Sequence, residues 1–174
     1  MTTIPKSAAA SAAAAARLEH QWLAPSRGMA AFHASFKHAF ETNYALADGS
    51  FHMHGMTLPA FLQRARGVAR SLDAHHRIEE AHIFPYLHKH PSFRPSSDHV
   101  QSHRIIHDGL ERYNAYLDKA SRDPASYNAR EFRAVMDSFR KPLYDHLDQE
   151  VRDLEPESLR AAGVTLDEVR MLPF

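Results

Sequence analysis

"DAHHRIEEAHIFPYLHKH", residues 73–90, holds five histidines and two adjacent glutamates. An exposed helix face favours Lys, Arg and Glu; histidine is a poorer helix former and carries little charge at neutral pH. The stretch nevertheless continues a helical run. Thr57 is a good N-cap with Pro59 in the first turn. Phe61, Val68, Leu72, Ile78 and Leu87 then recur three or four apart, or at multiples of that spacing, to about Lys89. "HPSFRPSSD", residues 90–98, ends the run. A helix that carries imidazoles and carboxylates along its apolar side has something to hold.

Three further segments repeat the helical period. One runs from about Ser26 to Ala47, with Phe32, Phe36, Ala39 and Phe40 as its stripe and Asp48-Gly49 as its stop. Another begins near Ser97, with Asp98 supplying acid to the first turn and Val100, Ile106, Leu110, Tyr113 and Leu117 as its stripe. The last runs from about Asn128 to Leu154 through Phe132, Val135, Phe139, Leu143 and Leu147, with Pro142 expected to kink or divide it. No stretch alternates with a period of two long enough to be a strand. The expected fold is therefore all-α: an antiparallel up-down-up-down four-helix bundle over 26–154, with short C-terminal helices packed on it over 155–174. Residues 1–25 form an Ala-rich leader, helical or disordered.

Composition narrows the chemistry. The chain has 174 residues, which suits one domain, with Lys plus Arg equal to Asp plus Glu at 21 each. That balance sets aside nucleic acid and anionic membranes as main partners. Cysteine is absent, so disulfides, thiolate metal sites, iron–sulfur clusters and cysteine nucleophiles are excluded. No apolar run approaches the ~20 residues of a membrane span, and a cytoplasmic location is expected. Fourteen histidines are the anomaly.

Residues four apart on a helix share a face. His75 and Glu79 have that spacing, as do His103 and His107, and His146 and Glu150. The first segment offers His33 on its apolar side, with His38 and, further off, His20 as competitors. Each pair shares its face with the local apolar stripe, so these groups point inward. Burying them unpaired would cost several kcal/mol apiece, a penalty that metal coordination removes. The adjacent pair His76 and Glu80 has the same geometry as His75 and Glu79 and could replace it. His99, four before His103, could extend the metal face.

Five histidines and two glutamates exceed the three or four protein ligands of a zinc site and are too nitrogen-rich for Ca²⁺ or Mg²⁺. Mixed imidazole and carboxylate ligation suits iron or manganese. With both glutamates bridging, the set fills about nine of the roughly twelve positions of two six-coordinate ions. An oxo or hydroxo bridge fills two more and leaves one open for a small ligand. Two other metal motifs fail on particular residues. Arg104 stands where a zinc-protease helix between His103 and His107 would carry its glutamate. The ferritin type needs Glu-x-x-His and mostly carboxylates.

The segments "HHRIEEAHIFPYL" (75–87), "HVQSHRIIHDGLERYNAYL" (99–117) and "DSFRKPLYDHLDQE" (137–150), preceded by "FHASFKHAFETNY" (32–44), resemble the hemerythrin-like family, the HHE cation-binding domain. The resemblance covers roughly residues 29–154. It implies two iron ions with an oxo or hydroxo bridge; manganese or zinc could take the same donors. His33 and His75 would bind one ion, His103, His107 and His146 the other, with Glu79 and Glu150 bridging. The implied function is binding of O2, H2O2 or NO. The alternatives are a di-iron peroxidase, catalase or oxidase, or an iron- or redox-responsive sensing module. The family's oxygen carriers usually end on a histidine and an aspartate five residues on. His146 and Glu150 are four apart, which favours the sensor, stress-response and enzyme-like branches.

Overall fold

Thr57 and Asn128 start two of the long helices as their chemistry dictates. The Thr57 side chain accepts from the Ala60 N–H at 3.4 Å, and the Asn128 side chain from the Glu131 N–H at 3.1 Å. The structure, a computed structural model, describes residues 6–93 and 99–174. Its α-helices are α1 (Lys6–Trp22), α2 (Ala24–Leu46), α3 (Leu58–Ile78), α4 (Phe84–Leu87), α5 (His99–Arg122), α6 (Ala129–Asp153), α7 (Pro156–Ala161) and α8 (Leu166–Val169). Among the described residues there is no strand, and no helix is long and apolar enough to cross a membrane. The expected helix start at Ser97 and Asp98 lies outside the described residues, as does the Val100 side chain.

The chain is an all-helical bundle in which α2 packs on α3 and α6, and α5 packs on the same two helices. Pro142 does not divide α6, which runs unbroken through it. The second expected helix is interrupted by a π-helical turn over Glu79–Ile83, where the Phe84 N–H donates to the Glu79 carbonyl five residues back. Pro85 supplies a physical reason. It has no N–H for the Ala81 carbonyl, and in α geometry its ring would clash there. The wider turn just ahead of it relieves that conflict.

Two apolar clusters form the core. The larger holds Phe40, Phe61, Leu72, Ile106, Phe139 and Leu147 among others. The smaller holds Met29, Ile83, Leu87, Leu154, Leu159 and Leu172 among others. Burying each large side chain stabilises the fold by roughly 1.5–3 kcal/mol relative to exposure. Along α2 the chain meets the smaller cluster first and the larger second; along α3 and the turn after it, the reverse. α5 leads into the larger cluster, and α6 runs from the larger to the smaller.

The C-terminal segment closes the smaller cluster through Leu159, Val164, Val169 and Leu172. Gly163, at φ +82°, reverses the chain after α7, and a reciprocal Thr165–Glu168 capping box starts α8. α1 is held against this end: the Arg160 guanidinium lies 4.7 Å over the Trp22 ring and pairs with Glu19 at 2.5 Å.

Two stripe positions differ from expectation. Phe32 is 52% exposed and Ile78 is 49% exposed. At about 100° per residue, Phe32 lies at the edge of the buried face of α2, whereas Ile78 lies on the side of α3 away from its buried face.

Candidate metal centre

α2, α3 with the turn after it, and α6 place their polar residues where the chain crosses from one apolar cluster to the other, and α5 places its own just before it enters the larger one. His33 lies between Met29 and Phe40, His76 and Glu79 between Leu72 and Ile83, and Glu150 between Leu147 and Leu154. His99 and His103 precede Ile106 on α5. The result is a buried polar layer between two apolar ones.

On the α2 side, the His33 Nδ1–H donates to the Leu147 carbonyl at 2.7 Å. A carbonyl can only accept, so in the neutral ring the Nε2 lone pair is bare. It faces His75 Nε2 at 3.0 Å and Glu150 Oε2 at 3.5 Å. His75 Nε2 is in turn 3.0 Å from Glu79 Oε1. Phe36 packs on the His75 ring at 4.9 Å.

Towards α5 and α6, the His76 ring is stacked on His103 at 4.2 Å and makes an edge contact with His146 at 5.5 Å. The His103 Nδ1–H donates to Glu80 Oε1 at 2.6 Å, and its Nε2 lies 3.8 Å from Glu79 Oε2 and 3.7 Å from Glu150 Oε1. His146 Nε2 is 3.2 Å from Glu150 Oε1. The His99 Nε2–H donates to Asp153 Oδ2 at 2.9 Å, leaving Nδ1 turned towards Glu150 Oε1 at 3.7 Å.

The layer is electrostatically unsettled as a set of side chains alone. Both ring nitrogens of His76 and of His146, both carboxylate oxygens of Glu79 and of Glu150, His103 Nε2 and His99 Nδ1 are buried without a hydrogen bond. Each such atom costs roughly 1–3 kcal/mol. Burial lowers His33 to about 4 and His76 to about 2, the neighbouring imidazoles adding to the effect. Burial also lowers His146, against the opposing pull of Glu150, and raises Glu79. For Glu150 burial acts upward, but contacts from His103 and His146 outweigh it and hold the carboxyl below the usual range. Neutral imidazoles with bare lone pairs beside two carboxylates are a cation's donor set. The residues present fit a metal.

Three groups of donors can each converge on one ion within 4.8 Å: His76, Glu79, His103 and His146; His33, His75, Glu79 and Glu150; and His99, His146 and Glu150. Of the expected ligands, the structure brings together His33, His75, Glu79, His103, His146 and Glu150. It does not bring in His107, whose side chain is 41% exposed and 3.9 Å from Asp73. Taking roughly 100° per residue, His99, Ile106, Leu110 and Leu117 fall within about 40° of one another, and His107 lies about 80° from their centre. The i,i+4 spacing to His103 therefore leads outward, while the i,i−4 spacing leads to buried His99. His38 and His20 are exposed, so α2 contributes His33.

The doubled residues of 73–90 resolve in the same way. His76, fully buried, sits at the centre of the α3 face, and His75 sits at its edge towards α2. Glu79 is inside, and Glu80, half exposed, holds His103. Spacing alone leaves the two pairs as alternatives, whereas the structure engages all four residues. Asp153 is outside the expected set; its position three residues past Glu150 places it near the same helix face, a signal too weak to single it out.

Residues 24–157 match the family described as the hemerythrin HHE cation binding domain. Among curated proteins, the dimeric xanthone biosynthesis cluster protein R11 of Cryptosporiopsis sp. (strain 8999) is 37% identical over 84 residues. That stretch is 47% of this chain and 30% of the relative, so the chain matches less than a third of the relative's length. No solved structure matches the chain. With the family matched over residues 24–157, most of the chain, and His/Glu donor groups gathered inside that span, the chain belongs to the hemerythrin HHE cation-binding family.

Proposed function

We propose that the chain holds two iron ions between its four long helices, bridged by Glu79 and Glu150, and binds O2, H2O2 or NO there. The observation that carries this reading is the sharing of carboxylates. Glu79 belongs to the His76–His103–His146 group and to the His33–His75 group, and Glu150 to the latter and to the His99–His146 group. A carboxylate common to two donor groups is placed to bridge two cations. His33 and His75 would serve one ion, and His103 and His146 the other. His76 would take the role that spacing alone gives to His107. An up-down-up-down topology is supported by the order in which the four helices meet the two apolar clusters.

When bound, an oxo- or hydroxo-bridged iron pair supplies the two-electron chemistry and the open position that protein side chains lack. The chain's own residues fix and shield the site. Leu147 and Glu80 set the tautomers of His33 and His103. Phe36 and Phe84 cover His75 and His103 with apolar surface.

Metal analysis of the purified protein, with optical spectra before and after O2 or H2O2, tests this reading. Two irons per chain and an oxo-bridge charge-transfer band are expected. Stoichiometric zinc without iron, after expression in iron-replete medium, would sink it. A second reading, a di-iron oxidase or peroxidase on a small organic substrate, is favoured by one feature: His75 reaches the surface beside Phe32 and Phe36. The relative's name, which refers to a biosynthesis cluster, points the same way. Turnover of a reducing organic substrate with H2O2 would separate an enzyme from a simple binder.

A further inference from the structure

We infer that His99 is a further metal ligand of this centre, binding through Nδ1, with Asp153 as the residue that positions it. This inference rests on the two-metal reading above and extends it to a histidine outside the family's implied set.

The geometry is that of a ligand held from behind. His99 is 7% exposed and lies at the centre of the buried face of α5. Its Nε2–H is taken by Asp153 Oδ2 at 2.9 Å, so the neutral ring must present a bare lone pair at Nδ1. That nitrogen has no hydrogen bond and is 3.7 Å from Glu150 Oε1. It also converges with donors of His146 and Glu150 within 4.8 Å. Asp153 is itself fixed, because Gln149 Nε2 donates to its other oxygen at 3.0 Å. Phe84 stacks on the imidazole at 4.9 Å and 24°, limiting its rotation.

The same construction appears at two histidines already in the donor set. His103 has Glu80 behind Nδ1 and a bare Nε2 ahead, and His33 has the Leu147 carbonyl behind Nδ1. Ligating histidines characteristically give their second N–H to a carboxylate or carbonyl in this way. His99 repeats it with the two nitrogens exchanged. Four imidazoles then surround the α5/α6 side of the layer, and two, His33 and His75, the α2 side. The small exogenous ligand accordingly belongs on the α2 side, where His75 meets the surface.

The test is anaerobic titration of the metal-free protein with Co²⁺, read by its d–d absorption, and with Fe²⁺, read by mass spectrometry. Wild type, His99→Ala, Asp153→Asn and His103→Ala are compared. In His99→Ala one of the two equivalents should bind at least about tenfold more weakly and the cobalt band should shift; Asp153→Asn should move both in the same direction, by about tenfold in affinity. Wild-type affinity and band in His99→Ala, alongside weakened binding in His103→Ala, would overturn the inference while leaving the two-metal reading intact. No metal uptake by wild type would overturn both. Should His99→Ala fail to fold, Asp153→Asn decides: an unchanged affinity and band overturns the inference.

Discussion

Adjacent residues on a helix point about 100° apart, and the metal layer uses both members of two adjacent pairs. His75 turns towards His33 on α2, while His76 turns into the interior against His103 and His146. Glu79 faces the two donor groups and Glu80 reaches across to His103. This division was not legible in the sequence, because i,i+4 spacing says which residues share a face but not which face is innermost. That depends on how α3 is rotated against α5, a tertiary fact. His76→Ala should therefore lose roughly half of the bound metal, whereas His107→Ala should retain close to the wild-type amount. Metal stoichiometry on the purified variants checks the pair. The opposite ranking would return His107 to the ligand set.

At the level of the elements, most boundaries could be read directly. The caps at Thr57 and Asn128 are local chemistry, and the helices begin beside them. The π turn at Glu79–Ile83 was not readable from apolar spacing, since Leu87 remains in register with Leu72 at helical multiples. The α5–α6 contact depends on a residue with no side chain. A Cβ at Gly109 would lie 2.5 Å from the Phe139 Cβ, far inside van der Waals contact, and both residues are held by helices that also carry donors. Gly109→Ala should destabilise the fold by about 1–3 kcal/mol through overpacking. Gly67 in α3 is the control, for a Cβ there meets nothing within 4 Å. Gly67→Ala should stabilise by up to about 1 kcal/mol through helix propensity. Denaturant midpoints measured on the two variants test both signs. Equal effects would mean that α5 and α6 do not approach at Gly109.

For the whole molecule, a polar layer between two apolar clusters makes stability depend on what fills that layer. A metal that binds the native state and not the unfolded one adds RT ln(1 + [M]/Kd), so chelation should lower the melting temperature. The chelated protein should also carry a definite pH signature. His33, His76 and His146 titrate lower in the fold than an ordinary imidazole, with His33 at about 4 and His76 at about 2, because burial disfavours their charged forms. As pH falls from about 6.5 to about 4.5 the unfolded chain takes up protons at His33 and His76 that the fold largely refuses, and the lowered His146 acts in the same direction, so stability rises with pH and is lost on acidification. Glu79 opposes this, since burial raises it and lets the fold keep a proton that the unfolded chain releases. His103, raised above 6.5, is protonated in both states through most of the window and contributes little. Glu150, held below the usual carboxylate range by His103 and His146, acts with the histidines at the acid end of the window, so the balance of shifts makes stability rise with pH. Melting temperatures of the chelated protein should therefore fall steadily between pH 6.5 and 4.5. A flat profile across that window would mean that the histidines of the layer are not held neutral by burial, and that the layer opens to water when its metal is removed.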